Sequence, residues 1–135
     1  MLKANELRIG NFIKFHNHLE TEKVITVNAR FFSSLAGGRS LEEMKSDEEL
    51  SNYYSGIPLT LEILEKCGWG KSDEHEIGTN MLNENNDGLY FDYHFKRFRM
   101  DFGDNSDIRM PHIQYLHQLQ NLYYSLTGDE LEIVW

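Results

Sequence analysis

The sequence contains a single cysteine, Cys67, among its 135 residues, so it cannot form an intrachain disulfide. A secreted scaffold built on disulfides is therefore excluded, as is a zinc site made of several cysteines. No apolar stretch approaches the ~20 residues that a membrane-spanning helix needs. The first residues also lack the apolar run of a signal peptide. We therefore expect a soluble, cytoplasmic protein that does not enter a membrane.

Basic residues are also scarce. The chain has 13 Lys+Arg against 22 Asp+Glu, which gives a formal net charge of −9. The imbalance is greatest over residues 71–135, where 5 basic side chains stand against 12 acidic ones. This charge repels phosphate backbones at long range. General nucleic-acid binding is disfavoured, and only a local basic patch could provide it.

Aromatic residues, in contrast, are plentiful. They make up 13% of the chain, which favours a packed core over intrinsic disorder. The length suits one domain over residues 1–135. Residues 35–53 are acidic and loop-like, and they read as an insert in that domain. Within them, Ser40 and Glu43 have the spacing of a helix capping box, which predicts a short acidic helix ending near Leu50.

Two hairpins are predicted. Residues 11–15 and 23–29 are rich in apolar and β-branched side chains and flank a turn around His16–His18. They are therefore predicted to form an N-terminal hairpin, after which Phe31 and Phe32 either extend the second strand or begin a bend. The central hairpin follows from a change of phase. Apolar residues fall at odd positions from Leu89 to Phe95 and at even positions from Phe98 to Phe102. One flat strand cannot reverse its faces, so a turn is needed near residues 94–97. The alternating aromatics, Phe95 included, are expected to face the core.

Helices are predicted in two further places. One helix is predicted between Thr60, which can cap its N-terminus, and Gly68, which can end it. Trp69 is then expected to fold back onto the core. Pro111 opens the last helix together with His112, and Gly128 ends it. Ile108 fits a short strand, and residues 131–135 fit a C-terminal strand. The class is therefore α+β, a mostly antiparallel sheet with two or three helices packed on it.

Catalytic and metal-binding patterns are weak. The histidines show no convergent metal-ligand spacing; they are His16, His18, His75, His94, His112 and His117. Cys67 lies near a helix C-terminus, where the dipole raises a thiol pKa. Neither a phosphate loop nor a nucleophile elbow is present. We therefore expect no cofactor, no metal and no enzymatic activity.

Two sets of side chains are candidates for contact with a partner. Aromatic and basic residues alternate over residues 90–99, a composition that can stack bases and hold phosphates. The residues of that nucleic-acid alternative are Tyr90, His94, Lys96, Arg97 and Arg99. The second set is a polar edge of the last helix, formed by Gln114, Gln118 and Asn121, which can bind another protein or face water.

Three segments together resemble a known family. They are the opening KANELRIGN of residues 3–11, the middle IPLT of 57–60 with CGW of 67–69, and the closing HQLQNLYYSLTGDEL of 117–131. The set is similar to a family of small proteins from gut bacteria of the Bacteroides group, often encoded in prophages and other mobile elements. The resemblance implies the origin and genomic context of the protein, and it gives no information about its activity. We therefore expect an acidic accessory protein, encoded by a phage or another mobile element, that acts through protein–protein contacts, with the nucleic-acid module as the alternative.

Overall fold

The computed structural model describes residues 2–16, 22–36, 50–79, 88–102 and 106–135, with the side chains of 34–36 excepted. Within these ranges the chain forms three α-helices and two antiparallel sheets, so the predicted α+β class is confirmed. None of the helices in these ranges has the length and apolar character needed to cross a membrane. Of the predicted insert 35–53, residues 37–49 lie outside the described ranges, and so do Ser40 and Glu43 of the predicted capping box.

The elements are assigned as follows. The helices are α1 (Ala29–Ala36), α2 (Leu61–Lys66) and α3 (Leu116–Thr127), and a short 3-10 helix spans Ala4–Glu6. The strands are β1 (Phe12–His16), β2 (Glu22–Thr26), β3 (Tyr54–Ser55), β4 (Gly70–Lys71), β5 (Glu76–Thr79), β6 (Gly88–Asp92), β7 (Arg97–Asp101) and β8 (Asp107–Arg109). The chain divides into two compact units, and the sequence-based assignment of one domain stays a prediction.

The first unit comprises Met1–Ile57 and Tyr115–Asn121. Its sheet has the strand order β2-β1-β3, so the predicted N-terminal hairpin is confirmed. A buried hydrophobic cluster in this unit consists of Leu2, Ile13, Val27, Phe31 and Leu50. Burying such side chains stabilises the fold by about 1.5–3 kcal/mol each.

Phe31 and Phe32 do not continue β2. They lie in α1, because the Asn28 side chain accepts a hydrogen bond from the Phe31 amide at 2.9 Å and so caps the helix N-terminus. Asn28 therefore starts a helix directly after a β-branched segment, and that segment led to the prediction of a longer strand.

The second unit comprises Pro58–Gln114 and Leu122–Trp135. Its sheet has the order β4-β5-β6-β7-β8, and every neighbouring pair is antiparallel. The predicted central hairpin is confirmed as β6 and β7, with Phe91 opposite Phe98 in register. The odd residues of β6 and the even residues of β7 are buried, as the change of phase requires. Trp69 is also buried, with its ring 6.3 Å from that of Phe98.

Helix α2 follows the prediction at both ends. The Thr60 side chain accepts a hydrogen bond from the Ile63 amide at 3.2 Å, and Gly68 follows the helix with φ +81°. This positive φ suits glycine and ends the helix without steric cost.

Three predicted elements or bounds are wrong. The strand predicted over 23–29 ends at Thr26, because Ala29 already belongs to α1. The last helix begins at Leu116 and not at Pro111, so His112 lies outside it. The Gln114 carbonyl accepts a hydrogen bond from the Leu59 amide at 3.0 Å, and this extended pairing holds the chain out of the helix. At the C-terminus, residues 131–135 form no strand; the Val134 amide donates to the Lys66 carbonyl at 2.9 Å, a single bond that builds no ladder.

Candidate contact site at the tip of the central hairpin

The turn between β6 and β7 is held by the last residue of β6. Asp92 and Arg97 close the hairpin in register, and Tyr93–Lys96 form the turn. One carboxylate oxygen of Asp92 accepts hydrogen bonds from the amides of His94 and Phe95, both at 2.9 Å. Lys96 adopts φ +55°, the left-handed conformation common at the end of longer hairpin loops. An aspartate at the start of a turn favours this arrangement.

A second segment braces the turn. The Tyr93 amide donates to the His75 carbonyl at 2.9 Å, and the Tyr93 hydroxyl donates to the Glu74 carbonyl. The His75 amide in turn donates to a carboxylate oxygen of Asp73 at 2.7 Å. The hairpin tip, which we define as Tyr93–Lys96 with Arg97, is therefore tied to the residues that precede β5.

Phe95 projects from this tip with 60% of its surface exposed. The rings of His94 and Phe95 are nearly perpendicular, with centroids 4.8 Å apart, and the Arg97 guanidinium lies 5.2 Å from the Phe95 centroid. The expectation that Phe95 faces the core is wrong. Strand alternation stops at Asp92, and the turn directs the next residues away from the buried face.

Arg99, predicted as a phosphate contact, is occupied by carboxylates. Its guanidinium donates twice to Glu76, at 2.7 and 2.9 Å, and once to Asp101 at 3.2 Å. Asp107 lies 3.5 Å away. The bidentate bond to Glu76 raises the pKa of Arg99 further, although its partial burial opposes the shift. This group holds the outer face of the sheet together across β5, β7 and β8.

Tyr90 lies beneath Arg99 on the same face, with the guanidinium 4.5 Å above its ring. The ring covers two glycines on the sheet: a Cβ on Gly88 would stand 2.8 Å from Tyr90 Cε2, and one on Gly78 would overlap the ring as well. Burial raises the pKa of Tyr90, and Asp101 raises it further. Tyr90 is therefore packed against its own sheet.

The outer face next to the tip has balanced charge. A depression of about 260 Å³ is lined by three carboxylates, three arginines and Phe98; the charged residues are Glu76, Asp92, Asp107, Arg97, Arg99 and Arg109. The structure thus divides the five residues of the nucleic-acid alternative. Tyr90 and Arg99 bind within the sheet, whereas His94, Lys96 and Arg97 lie at the exposed tip.

The residues of the predicted protein-contact edge also separate. In the second unit, Gln114 precedes α3; it is exposed, and its side-chain amide nitrogen donates to the Pro111 carbonyl at 3.1 Å. In the first unit, the Gln118 side chain accepts from the Tyr115 amide at 3.0 Å and so caps α3. The Asn121 side chain donates to the Glu6 carbonyl at 2.6 Å.

Asn121 belongs to a buried polar network in the first unit that the sequence reasoning missed. Its oxygen accepts from Asn11 at 2.9 Å and from Arg8 at 3.1 Å. The fully buried Gln120 accepts from the Phe12 amide at 2.8 Å and donates to the Gly10 carbonyl at 3.1 Å. The network joins residues 6–12 to 117–121, so two of the segments that carry the family resemblance meet here.

His117 is the titratable member of this region. Only 1% of it is exposed; its ring stacks on Tyr115, with centroids 5.9 Å apart, and Nε2 lies 3.5 Å from a Glu6 carboxylate oxygen. Burial lowers the pKa of His117, and Glu6 opposes the shift. A spacing signal was present for Gln120, which follows the buried Leu116 by four positions in α3.

Neither a reactive thiol nor a cluster of three or more potential metal ligands is found in the described ranges. Burial raises the pKa of Cys67 to about 12, so its side chain remains a thiol at neutral pH. Within these ranges no three or more His, Cys, Asp or Glu side chains come together to hold a metal ion.

Comparison with known proteins gives no match: no family model fits the chain, and no similar protein is found among curated sequences or solved structures.

Proposed function

We propose that this protein acts through contact with another protein and that the hairpin tip is the contact element. Phe95 enters an apolar pocket of the partner, and Lys96 and Arg97 pair with carboxylates around that pocket. The partner surface is therefore acidic with an apolar centre.

The observation that carries the proposal is an exposed aromatic ring on a hydrogen-bonded turn. Two hydrogen bonds to Asp92 and one to His75 fix the backbone around Phe95 before any partner arrives. Pre-organisation lowers the entropy cost of binding. Aromatic and arginine side chains at the centre of an interface dominate binding energies. The tip presents both types side by side.

The nucleic-acid alternative uses the same tip and has less support. Of its five residues, Tyr90 covers glycines and Arg99 binds carboxylates. Lys96 and Arg97 remain as cations, in a chain of net charge −9. Two phosphate contacts give weak binding with a salt dependence of only about 1.4 released ions on a single strand.

The setting of this role is also proposed. The family resemblance supports a phage or other mobile-element origin, and the single cysteine supports a reducing, cytoplasmic location. A binding role is preferred to a catalytic one because the tip offers an anchor and charges but no activated nucleophile.

The test is selection of peptides from a random displayed library on the intact protein. We expect acidic peptides with an apolar residue, and we expect Phe95→Ala to weaken their binding by about 30-fold, the equivalent of a 2 kcal/mol anchor. Ile108→Ala is the matched control, since Ile108 is also an exposed apolar residue of this sheet (51%) and is expected to leave affinity unchanged.

Two results would contradict the proposal. One is equal binding by the wild type and Phe95→Ala. The other is a gel shift at about 50 mM salt with mixed-sequence single-stranded RNA or DNA that Lys96→Ala and Arg97→Ala abolish, because this would assign the tip to nucleic acid.

A further inference from the structure

Two histidines that lie 19 positions apart in the sequence meet beside the hairpin tip. The rings of His75 and His94 have centroids 5.3 Å apart, with an angle of 42° between their planes. Both side chains are exposed. The sequence reasoning did not pair them, because His75 precedes β5 and His94 lies in the β6–β7 turn.

The backbone fixes both positions. His75 donates its amide to Asp73 and accepts from the Tyr93 amide, while His94 donates its amide to Asp92. The separation of the two side chains is therefore set by the fold of the second unit. Their terminal χ2 angles remain adjustable, since rotation about this bond in histidine has broad minima.

The spacing of the rings suits one metal ion. Imidazole nitrogens bind zinc at about 2.0–2.1 Å, so two rings that share an ion at an angle of 90–120° have centroids about 4.5–5.5 Å apart. The observed 5.3 Å falls in this interval.

The charge near the pair also favours a cation. Asp73 and Glu74 adjoin His75 in the chain, and Asp92 caps the turn that carries His94. These carboxylates lower the electrostatic cost of bringing a dication to the surface. Lys96 and Arg97, which follow His94 by two and three residues, act in the opposite sense.

We propose that His75 and His94 form a two-histidine site for a divalent transition metal of the zinc and copper class. The described chain supplies two ligands, and water completes the coordination. Imidazole nitrogen suits these metals, whereas magnesium and calcium prefer oxygen ligands.

The experiment is a titration of the full chain with Zn²⁺ alone. Calorimetry measures the affinity, and NMR records the signals of the histidine rings. We expect the signals of His75 and His94 to shift together at one equivalent. His75→Ala and His94→Ala each lose the chelate and weaken binding by about 100-fold or more. His112→Ala is the control, since His112 is also exposed in this unit and is expected to bind zinc as the wild type does.

Zinc affinity that is unchanged in the His75→Ala/His94→Ala double variant would overturn the proposal, as would ring signals of the pair that do not move. Because Phe95→Ala keeps both ligands, it is expected to bind zinc normally while losing peptide. The site therefore stands or fails independently of the proposed contact function.

Discussion

Replacing Gln120 with methionine tests the buried polar network directly. Methionine is close to glutamine in size and shape but cannot form hydrogen bonds of comparable strength. In Gln120→Met the Phe12 amide loses an acceptor at 2.8 Å and the Gly10 carbonyl loses a donor at 3.1 Å. Both groups then lack this hydrogen-bond partner at a position where only 1% of the residue is exposed to solvent.

The magnitude follows from two unsatisfied groups. Each costs about 1–3 kcal/mol, and the more apolar methionine recovers part of that loss, so the free energy of unfolding should fall by about 2–4 kcal/mol. The assay is urea denaturation followed by circular dichroism, with hydrogen exchange of the Phe12 amide as a local readout. The control is Gln114→Met at an exposed position, which should change stability by less than about 0.5 kcal/mol.

A loss of less than about 0.5 kcal/mol in Gln120→Met, with the exchange protection of Phe12 unchanged, would contradict this prediction. That result would mean that water or a shifted backbone satisfies both groups without Gln120.

Two further predictions concern His117 and Lys96. Burial lowers the pKa of His117 in the folded chain, so its contribution to stability is present above the pKa of the unfolded chain and is lost as pH falls towards the folded value. The free energy of unfolding should therefore drop more between about pH 7.5 and about pH 5.5 in the wild type than in His117→Phe, and an equal drop in both would contradict this. Lys96 has φ +55°, which costs a residue with a Cβ about 1–2 kcal/mol, so Lys96→Gly should raise the melting temperature, whereas Lys96→Ala should not.

The sequence predicted the elements whose signals are local. The change of phase between Phe95 and Phe98 located the central hairpin, and the Thr60 and Gly68 signals located α2, because both depend only on neighbouring residues. The start of α3 was misplaced because a tertiary hydrogen bond, from the Leu59 amide to the Gln114 carbonyl, overrides the local preference of Pro111 for a helix start.

The candidate site was predicted in part. The sequence indicated the segment 90–99, but it predicted that five of its residues would contact nucleic acid together. The register of β6 and β7 places Tyr90 and Arg99 opposite each other, and the carboxylates that bind Arg99 come from β5, β7 and β8. The exposure of Phe95 depends on where the turn begins, and the pairing of His75 with His94 depends on the register between β5 and β6. Such long-range pairings cannot be predicted from the pattern of a single segment.

NMR mapping of a selected acidic peptide on the wild-type protein tests directly whether the hairpin tip is the contact element. We expect the amide signals of His94, Phe95 and Arg97 to shift most and the Ile108 signal to stay in place. Shifts centred away from the hairpin tip, with the Phe95 signal unchanged at saturation, would show that the tip is not the contact element.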